Sequence, residues 1–413
     1  MGVCACALRF FCLLRKLVVH MAFPPGFVPK APLFHGTFCG SPLNRASGAE
    51  QKDPKWEEAA LGADTTRFLL FSTHKGSVGA AALMLKLGRP RPPVIAWQTC
   101  ASLASLGIEP KGHSCNGVPP ILLGERDGAQ HFALLVDVSE EDLVGKGTFA
   151  EGKPFVAEGM SKLLMGGCEE GDFGIVGHAF AKIVWHKRSL HCGVCGQPTV
   201  PIECGAKRKC SDAACKTRLY ARTDPSCMVL VKNKDDSKCL LISGQDRSTP
   251  HMWTCVSGYV EQCEQVEEAA KREVMEETGA EVDLSKGANW HGSQPWPLGM
   301  GGNCDLMLGV EVVAASEKIE PNLKEVKDAR WFTREEVQGM LNTPWNKDGK
   351  PFVPPFISEA HFLLQRWVSS NGSLPAPSLD ETSSPGKLQN ACYFLAGVSL
   401  ALLSSWALRL RRQ

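Results

Sequence analysis

One segment limits what this chain can fold into more than any other: Gly258-Tyr-Val-Glu-Gln-Cys-Glu264-Gln-Val-Glu-Glu-Ala-Ala-Lys-Arg272-Glu273-Val274-Met-Glu276-Glu277-Thr-Gly279. From about Gln265 to Thr278 it holds strong helix formers with no Gly or Pro, and it predicts a helix that Gly279 ends as a C-cap. Glu273, Glu276 and Glu277 are spaced i, i+3, i+4, so the three carboxylates share one face. An acid-rich helix ordinarily presents a solvated face, but the phase argues otherwise here. At about 100° per residue, Val266, Ala269 and Ala270 lie within about 60° of Glu273, while Glu267, Glu268 and Lys271 occupy the more solvent-like side. Three acids on the apolar-facing side repel one another unless a cation sits among them. Oxygen donors on one ridge suit Mg²⁺, which takes a few carboxylates together with substrate phosphates. Arg272 can hold a neighbouring carboxylate in place.

The second constraint is a cysteine cluster. Cys192-Gly-Val-Cys195 is a tight CxxC, followed fifteen residues after Cys195 by Cys210-Ser-Asp-Ala-Ala-Cys215. Two such knuckles supply four thiolates for a closed tetrahedral zinc site at about 2.3 Å. A redox reading needs a single CxxC at a helix start, and the second pair argues against it. His191 and Cys204 are spare donors, and Cys204 reads as an ordinary loop thiol. Zinc here would hold a core-poor segment together rather than perform chemistry.

Around these two features the chain reads as ordinary globular protein. Its 413 residues suggest two or three domains. Apolar residues make up 44% and charged residues 22%, which excludes wholesale disorder. Lys+Arg (45) balance Asp+Glu (44), so no net field marks a dedicated nucleic-acid or membrane-surface protein. The other cysteines are scattered, as reduced thiols are. Residues 50–185 carry short apolar runs (Phe68–Phe71, Val94–Trp97, His131–Val138) between Gly/Pro punctuation and predict a small α+β domain without a catalytic constellation. A helix near Gly177–Arg188 leads into the cysteines. The zinc ribbon is expected over 186–222 and a catalytic domain over 223–368, where Met228–Lys232 and Cys239–Ile242 read as strands joined by a polar turn.

Both ends carry address-like signals. Residues 1–49 contain no Asp or Glu but hold Arg9, Arg15, Lys16, Lys30 and Arg45, the pattern of an organelle transit segment. The Met-Gly-Val-Cys start also suggests acylation at Gly2 and Cys4, although Cys6 stands where that pattern wants Ser or Thr. At the other end 369–390 has Ser/Pro linker composition, and 391–408 is uncharged with Arg409, Arg411 and Arg412 behind it, a candidate C-terminal membrane anchor. The expected location is an organelle: mitochondrion, peroxisome or plastid.

The segment from Gly258 to Gly279 resembles the Nudix box, G-x5-E-x7-R-E-U-x-E-E-x-G-U. Gly258, Glu264, Arg272, Glu273, Val274, Glu276, Glu277 and Gly279 all agree, and Ala280 fills the last slot weakly. With a four-Cys ribbon before it and Ser293-Gln294-Pro295-Trp296-Pro297 after it, the chain is similar to the zinc-ribbon NADH pyrophosphatase subfamily. That resemblance implies an α/β fold, a Nudix α/β/α sandwich preceded by a zinc ribbon and a small α+β N-terminal domain. It implies hydrolysis of the pyrophosphate of NAD(H)-type dinucleotides to NMN(H) and AMP, removal of NAD caps from RNA, and a homodimer. It places one structural zinc on Cys192, Cys195, Cys210 and Cys215. It places two or three Mg²⁺ or Mn²⁺ ions on Glu273, Glu276, Glu277, Glu325 and the Ser257 carbonyl, with the three box glutamates catalytic. Gly258, Glu264, Arg272 and Gly279 are structural in that pattern. Substrate contacts fall on Tyr220, Tyr259, Ser293, Gln294, Pro295, Trp296, Pro297 and Ala360.

The chain also departs from the family pattern. Ala221 replaces the usual proline after Tyr220. After Pro297 the sequence runs Leu298-Gly-Met-Gly-Gly-Asn-Cys-Asp305, a longer, Gly-rich stretch expected to form a floppier loop that is costlier to order. The proline-flanked Trp296 is expected in a rigid extended loop lining a nucleotide pocket, against the plainer reading of a packing Trp. Other Nudix substrates (ADP-ribose, NADPH, coenzyme A) and a non-catalytic zinc-ribbon binding module remain the alternatives.

Overall fold

Period-2 alternation decides the architecture. In strand β10 of the computed structural model (Thr223–Lys232), Cys227, Val229 and Val231 join one buried cluster while Met228 and Leu230 join another. A strand buried on both faces needs a layer on each side. The structure describes residues 38–45, 48, 50–73, 80–85, 93–138, 155–159, 163, 170–245, 249–343 and 349–370.

Among the described residues three sheets follow in chain order. The first is built from β1 (Arg67–Thr73), β2 (Ala80–Leu85), β3 (Val94–Ile95), β4 (Ile121–Arg126), β5 (Ala129–Val136) and β6 (Phe155–Gly159). Its strand order is β3-β2-β1-β5-β4 with β6 also on β2, and only β1 and β5 run parallel. Helices α1 (Pro54–Leu61), α2 (Cys100–Ser105) and α3 (Glu170–Arg188) accompany it. A small antiparallel sheet, β7 (Thr199–Ile202), β8 (Lys207–Cys210) and β9 (Arg218–Tyr220), carries the cysteine knuckles. The third sheet has the order β13-β14-β10-β11-β15, with β12 (Val256–Tyr259) also on β10. Its other strands are β11 (Lys238–Gly244), β13 (Asn289–Trp296), β14 (Cys304–Val313) and β15 (Val326–Thr333). Helix α4 (Val266–Thr278) covers one face through Ala269, Ala270 and Val274. Helices α5 (Arg334–Leu341) and α6 (Glu359–Ser369) cover the other through Val337, Met340, Leu363, Leu364 and Trp367. This is the expected α/β/α sandwich, preceded by a cysteine ribbon and an α+β unit.

The expected box helix begins one residue late, at Val266, with Gln265 as N-cap in a reciprocal capping box with Glu268. Gly279 ends it at φ +66°, and a Cβ there would lie 2.8 Å from the Glu320 carbonyl oxygen. Two expectations are adjusted. Residues 38–45, read as the end of a leader over 1–49, are folded: Phe38 and Leu43 are buried in the first core beside Leu69, Ile175 and Val176. The Pro-flanked Trp296 is not in a loop but closes β13, paired with Asp305 of β14. Pro295 is tolerated because β13 is an edge strand. Residues 1–37, the linker 369–390 beyond Ser370 and the uncharged run 391–408 lie outside the described residues. Among the described residues no helix is long and apolar enough to cross a membrane.

One core residue runs against composition. Glu359, in the first turn of α6, is fully buried, and neither carboxylate oxygen has a hydrogen-bond partner among the described residues. Burial pushes its pKa up to about 8 from 4.5. Between those values the folded chain holds a proton that the unfolded chain has released, so stability falls as pH rises across that window. Glu359→Gln, isosteric and neutral throughout, is expected to gain roughly 2–4 kcal/mol over the parent at pH 8, with the gain vanishing near pH 4. Chemical denaturation at the two pH values checks this, and equal midpoints at pH 8 would contradict it.

Candidate active site

Strand β12 and helix α4 meet at Gly258 and Glu273. A Cβ on Gly258 would lie 1.8 Å from the Glu273 Cδ, so only glycine lets the carboxylate tuck against the strand. Arg272 fastens the connection between them. Its Nε and Nη2 donate to the two Glu264 oxygens at 2.8 Å each, Nη2 also donates to the Tyr259 carbonyl at 2.8 Å, and Nη1 donates to Glu273 at 2.8 Å. A weaker contact reaches Glu276 at 3.5 Å. The bidentate pairing holds the Glu264 carboxyl below its ordinary pKa and the guanidinium above its own.

The acidic ridge is graded in depth. Glu273 and Glu277 are only 4% and 6% exposed, whereas the Glu276 side chain is 49% exposed. Glu325 approaches from a separate loop, whose backbone is bonded to the helix end: Glu320 N–H donates to Thr278 O at 2.7 Å and Asn322 N–H to Glu277 O at 3.0 Å. Glu325 N–H then donates to Asn322 O at 2.9 Å, so this half-buried glutamate is held beside the Glu277 turn. Ser257 precedes Gly258 in β12, opposite Met228. Two carboxylates this deep on one helix fit a divalent cation, since burying paired negative charge is costly without one. The donors do not close into a cage. Among the described residues only the four cysteines bring three or more ligand atoms within 4.8 Å of one another. That openness suits a cation that keeps several waters and takes the rest of its shell from phosphate.

The cysteines, by contrast, are assembled. Cys192 and Cys215 Sγ atoms are 3.8 Å apart, and those of Cys195 and Cys210 are 3.4 Å apart. A tetrahedron with about 2.3 Å metal–sulfur bonds has edges of about 3.8 Å, so the quartet fits zinc. Gly196, at φ +73°, turns the first knuckle and donates to Cys192 O at 2.8 Å. Backbone N–H groups of Cys195 and Val194 hold the Cys192 thiol below its ordinary pKa. Cys204 stands apart, buried, with its thiol donating to Gln51 O at 3.5 Å. His191 is also outside the quartet, exposed and bridged to Pro198.

The residues expected to touch substrate are spread unequally. Tyr259 is half-buried beside the box, its hydroxyl donating to Asp305 Oδ2 at 3.0 Å. Tyr220 is 60% exposed at the end of β9, with Lys207 Nζ 5.4 Å from its ring centre. Ser293 and Pro295 are half-buried and Pro297 is buried. Trp296 packs edge-on against Phe38, with ring centres 5.9 Å apart, as a packing Trp would. Gln294 is fully buried and its amide is spent within the fold, donating to Ile357 O at 2.7 Å and accepting from Glu359 N–H at 2.9 Å. Ala360 is buried in the core under α6. The side chains of Gln294 and Ala360 therefore shape the site from behind. Sequence reading missed Asp305, whose only signal was an acid opening the apolar run Leu306–Val313.

The comparisons agree with this geometry. A family model described as NUDIX domain matches residues 222–356. The chain is 42% identical over 232 residues to Nudix hydrolase 19, chloroplastic, of Arabidopsis thaliana, covering 48% of this chain and 52% of the relative. It is 36% identical over 212 residues to NAD-capped RNA hydrolase NUDT12 of Homo sapiens, covering 50% and 44%. It is 32% identical over 264 residues to NAD-capped RNA hydrolase NudC of Deinococcus radiodurans, covering 63% and 82%. The chain spans about half the length of the first two relatives. With the box residues meeting as described, the chain belongs to the Nudix hydrolase family. Within that family its place is the NADH pyrophosphatase subfamily.

The zinc assignment has a direct check. Native mass spectrometry of the full chain is expected to show one zinc, and Cys192→Ser or Cys210→Ser to release it and open 190–220 to protease. Full zinc retention by either variant would put the ion elsewhere.

Proposed function

We propose that this chain hydrolyses the pyrophosphate bond of NAD(H)-type dinucleotides, yielding NMN(H) and AMP, and that it accepts the same linkage in NAD-capped RNA. The observation that carries the reading is the intact box in working geometry: Glu273 and Glu277 buried on one ridge, with Arg272 clasping Glu264, Glu273 and the Tyr259 carbonyl. Glu273, Glu276, Glu277, Glu325 and the Ser257 carbonyl would hold two or three Mg²⁺ or Mn²⁺ ions. Bound there, a divalent cation lowers the pKa of a coordinated water and neutralises charge on the pyrophosphate oxygens.

The chain's own groups supply position. Arg272 fixes the carboxylates before substrate arrives, so little reorganisation is left for the reaction itself. Glu276, reaching solvent, and Glu277, buried behind it, are the groups placed to orient the attacking water and take its proton. Tyr259 offers an aromatic face for the base, and Tyr220 a second, exposed one. One zinc on the cysteine quartet holds the ribbon. The relative from Arabidopsis is named chloroplastic and the first 49 residues lack acids, which support an organelle as the place of work. A homodimer follows from the subfamily resemblance.

The test is the purified full chain with Mn²⁺ and, separately, NADH, NAD⁺, NADPH, ADP-ribose, coenzyme A and NAD-capped RNA, with AMP and NMN(H) followed by chromatography. Glu277→Gln is expected to cut turnover of NADH by roughly 10²–10⁴-fold with zinc content unchanged. A near-normal rate in that variant, or cleavage confined to ADP-ribose or coenzyme A, would overturn the reading.

A further inference from the structure

We propose that the Gly-rich stretch from Leu298 to Asp305 is a clamp on the phenol of Tyr259, and that Asp305 is the positioning residue that fixes this ring as a platform for the substrate's base. The proposal rests on the function argued above and adds a residue to it.

The expected floppy loop is in fact tied down. A short 3-10 turn, Met300–Gly302, is closed by Gly302 N–H donating to Gly299 O at 2.9 Å and Asn303 N–H to Met300 O at 3.2 Å. Asn303 Nδ2 donates to Asp224 Oδ2 at 3.1 Å, and Arg222 pairs with the same Asp224. Gly302, at φ +79°, leans on α3, where a Cβ would meet Val184 Cγ1 at 3.1 Å and Arg188 Nη2 at 3.3 Å. The turn therefore sits between the strand ends and α3.

Its product is the placement of one carboxyl group. Asp305 is 7% exposed, between Asp224 of β10 and Trp296 of β13 in the sheet. One oxygen accepts from the Tyr259 hydroxyl at 3.0 Å, and the other, Oδ1, has no hydrogen-bond partner among the described residues. Gly299 lies directly over it: a Cβ there would fall 2.3 Å from Oδ1. With φ −61°, Gly299 is required for space and not for backbone conformation. A buried acid left half-satisfied is costly, and here its one partner is an aromatic of the proposed substrate site. A tyrosine ring otherwise rotates about two side-chain bonds, and anchoring its far end removes that freedom before the base arrives.

The experiment has two arms on the full chain. In the first, steady-state hydrolysis of NADH is measured for Tyr259→Phe, Asp305→Ala, Asp305→Asn and the double variant Tyr259→Phe/Asp305→Ala. The two single truncations are expected to raise KM about 5–20-fold while kcat moves less than 3-fold, following the 1–2 kcal/mol that such a bond carries. Asp305→Asn, which keeps an acceptor oxygen, is expected to return KM to within about 2-fold of the parent, and the double variant to be no worse than either single. In the second arm no substrate is needed. The chain has 3 tyrosines, so 3-fluorotyrosine labelling gives three ¹⁹F resonances. The one lost in Tyr259→Phe is expected to move toward the free-tyrosine position in Asp305→Ala and to stay in Asp305→Asn. An unmoved Tyr259 resonance in Asp305→Ala overturns the clamp whatever the enzyme cleaves. A parent that leaves NADH intact while that resonance still moves sinks the assigned substrate and leaves the clamp standing. An unchanged KM in Asp305→Ala, with NADH cleaved normally by the parent, overturns the clamp alone.

Discussion

The site depends on one guanidinium. Arg272 donates to both oxygens of Glu264, to the Tyr259 carbonyl and to Glu273, and so ties the end of β12, the following turn and the first ridge carboxylate to a single planar group. Like charges on a helix face repel, and a cation that arrives only with substrate cannot hold them apart beforehand. A resident cation in the fold can. Lysine could not replace it, because a point charge lacks the fork that engages Glu264 bidentately while also reaching two other acceptors. Gly258 completes the arrangement by leaving no side chain between strand and carboxylate.

A second buried guanidinium plays the matching part for the ribbon. Arg208 of β8 is 2% exposed and donates to Thr199 Oγ1, Thr199 O, Gly117 O and His186 Nδ1. Burial pushes His186 down to about 4, so its ring is neutral: Nδ1 accepts from Arg208 and Nε2–H donates to Gly205 O at 2.9 Å. The ribbon strand is thereby bonded to the loop before β4 and to α3. A cysteine ribbon held this way is fastened to the fold and is not a free recognition finger, which weighs against the binding-module alternative.

What the sequence made legible was local. The box helix came out within one residue because its caps, its spacing and its glycine stop all lie inside twenty residues. The cysteine quartet was legible for the same reason. The N-terminal edge was misjudged because charge pattern alone cannot show that Phe38 packs against Phe173 and Trp296, more than a hundred residues away. The stretch 298–305 looked loose because its restraints are long-range: Tyr259 lies 46 residues from Asp305, and Asp224 lies 79 from Asn303. Glycine content read as freedom, whereas Gly299 is there to let a backbone lie on a carboxyl group.

The same division separates the two halves of the chemistry. Most of the proposed metal side, from Ser257 to Glu277, is specified by neighbours in sequence; Glu325 alone comes from a distant loop, bonded to the helix end through Asn322. The substrate side is assembled from distant parts: Gln294 latches onto Ile357 and Glu359, Trp296 and Leu298 rest on the first core, and Ile357 is itself buried in that core. Packing changes in the N-terminal unit can therefore shift Trp296 and the 298–305 turn without touching the carboxylates of the box helix. Such a change would move KM and leave the metal-dependent step in place. Under the proposed function, substrate preference would rest on long-range packing, and hydrolysis on the box helix together with Ser257 and Glu325.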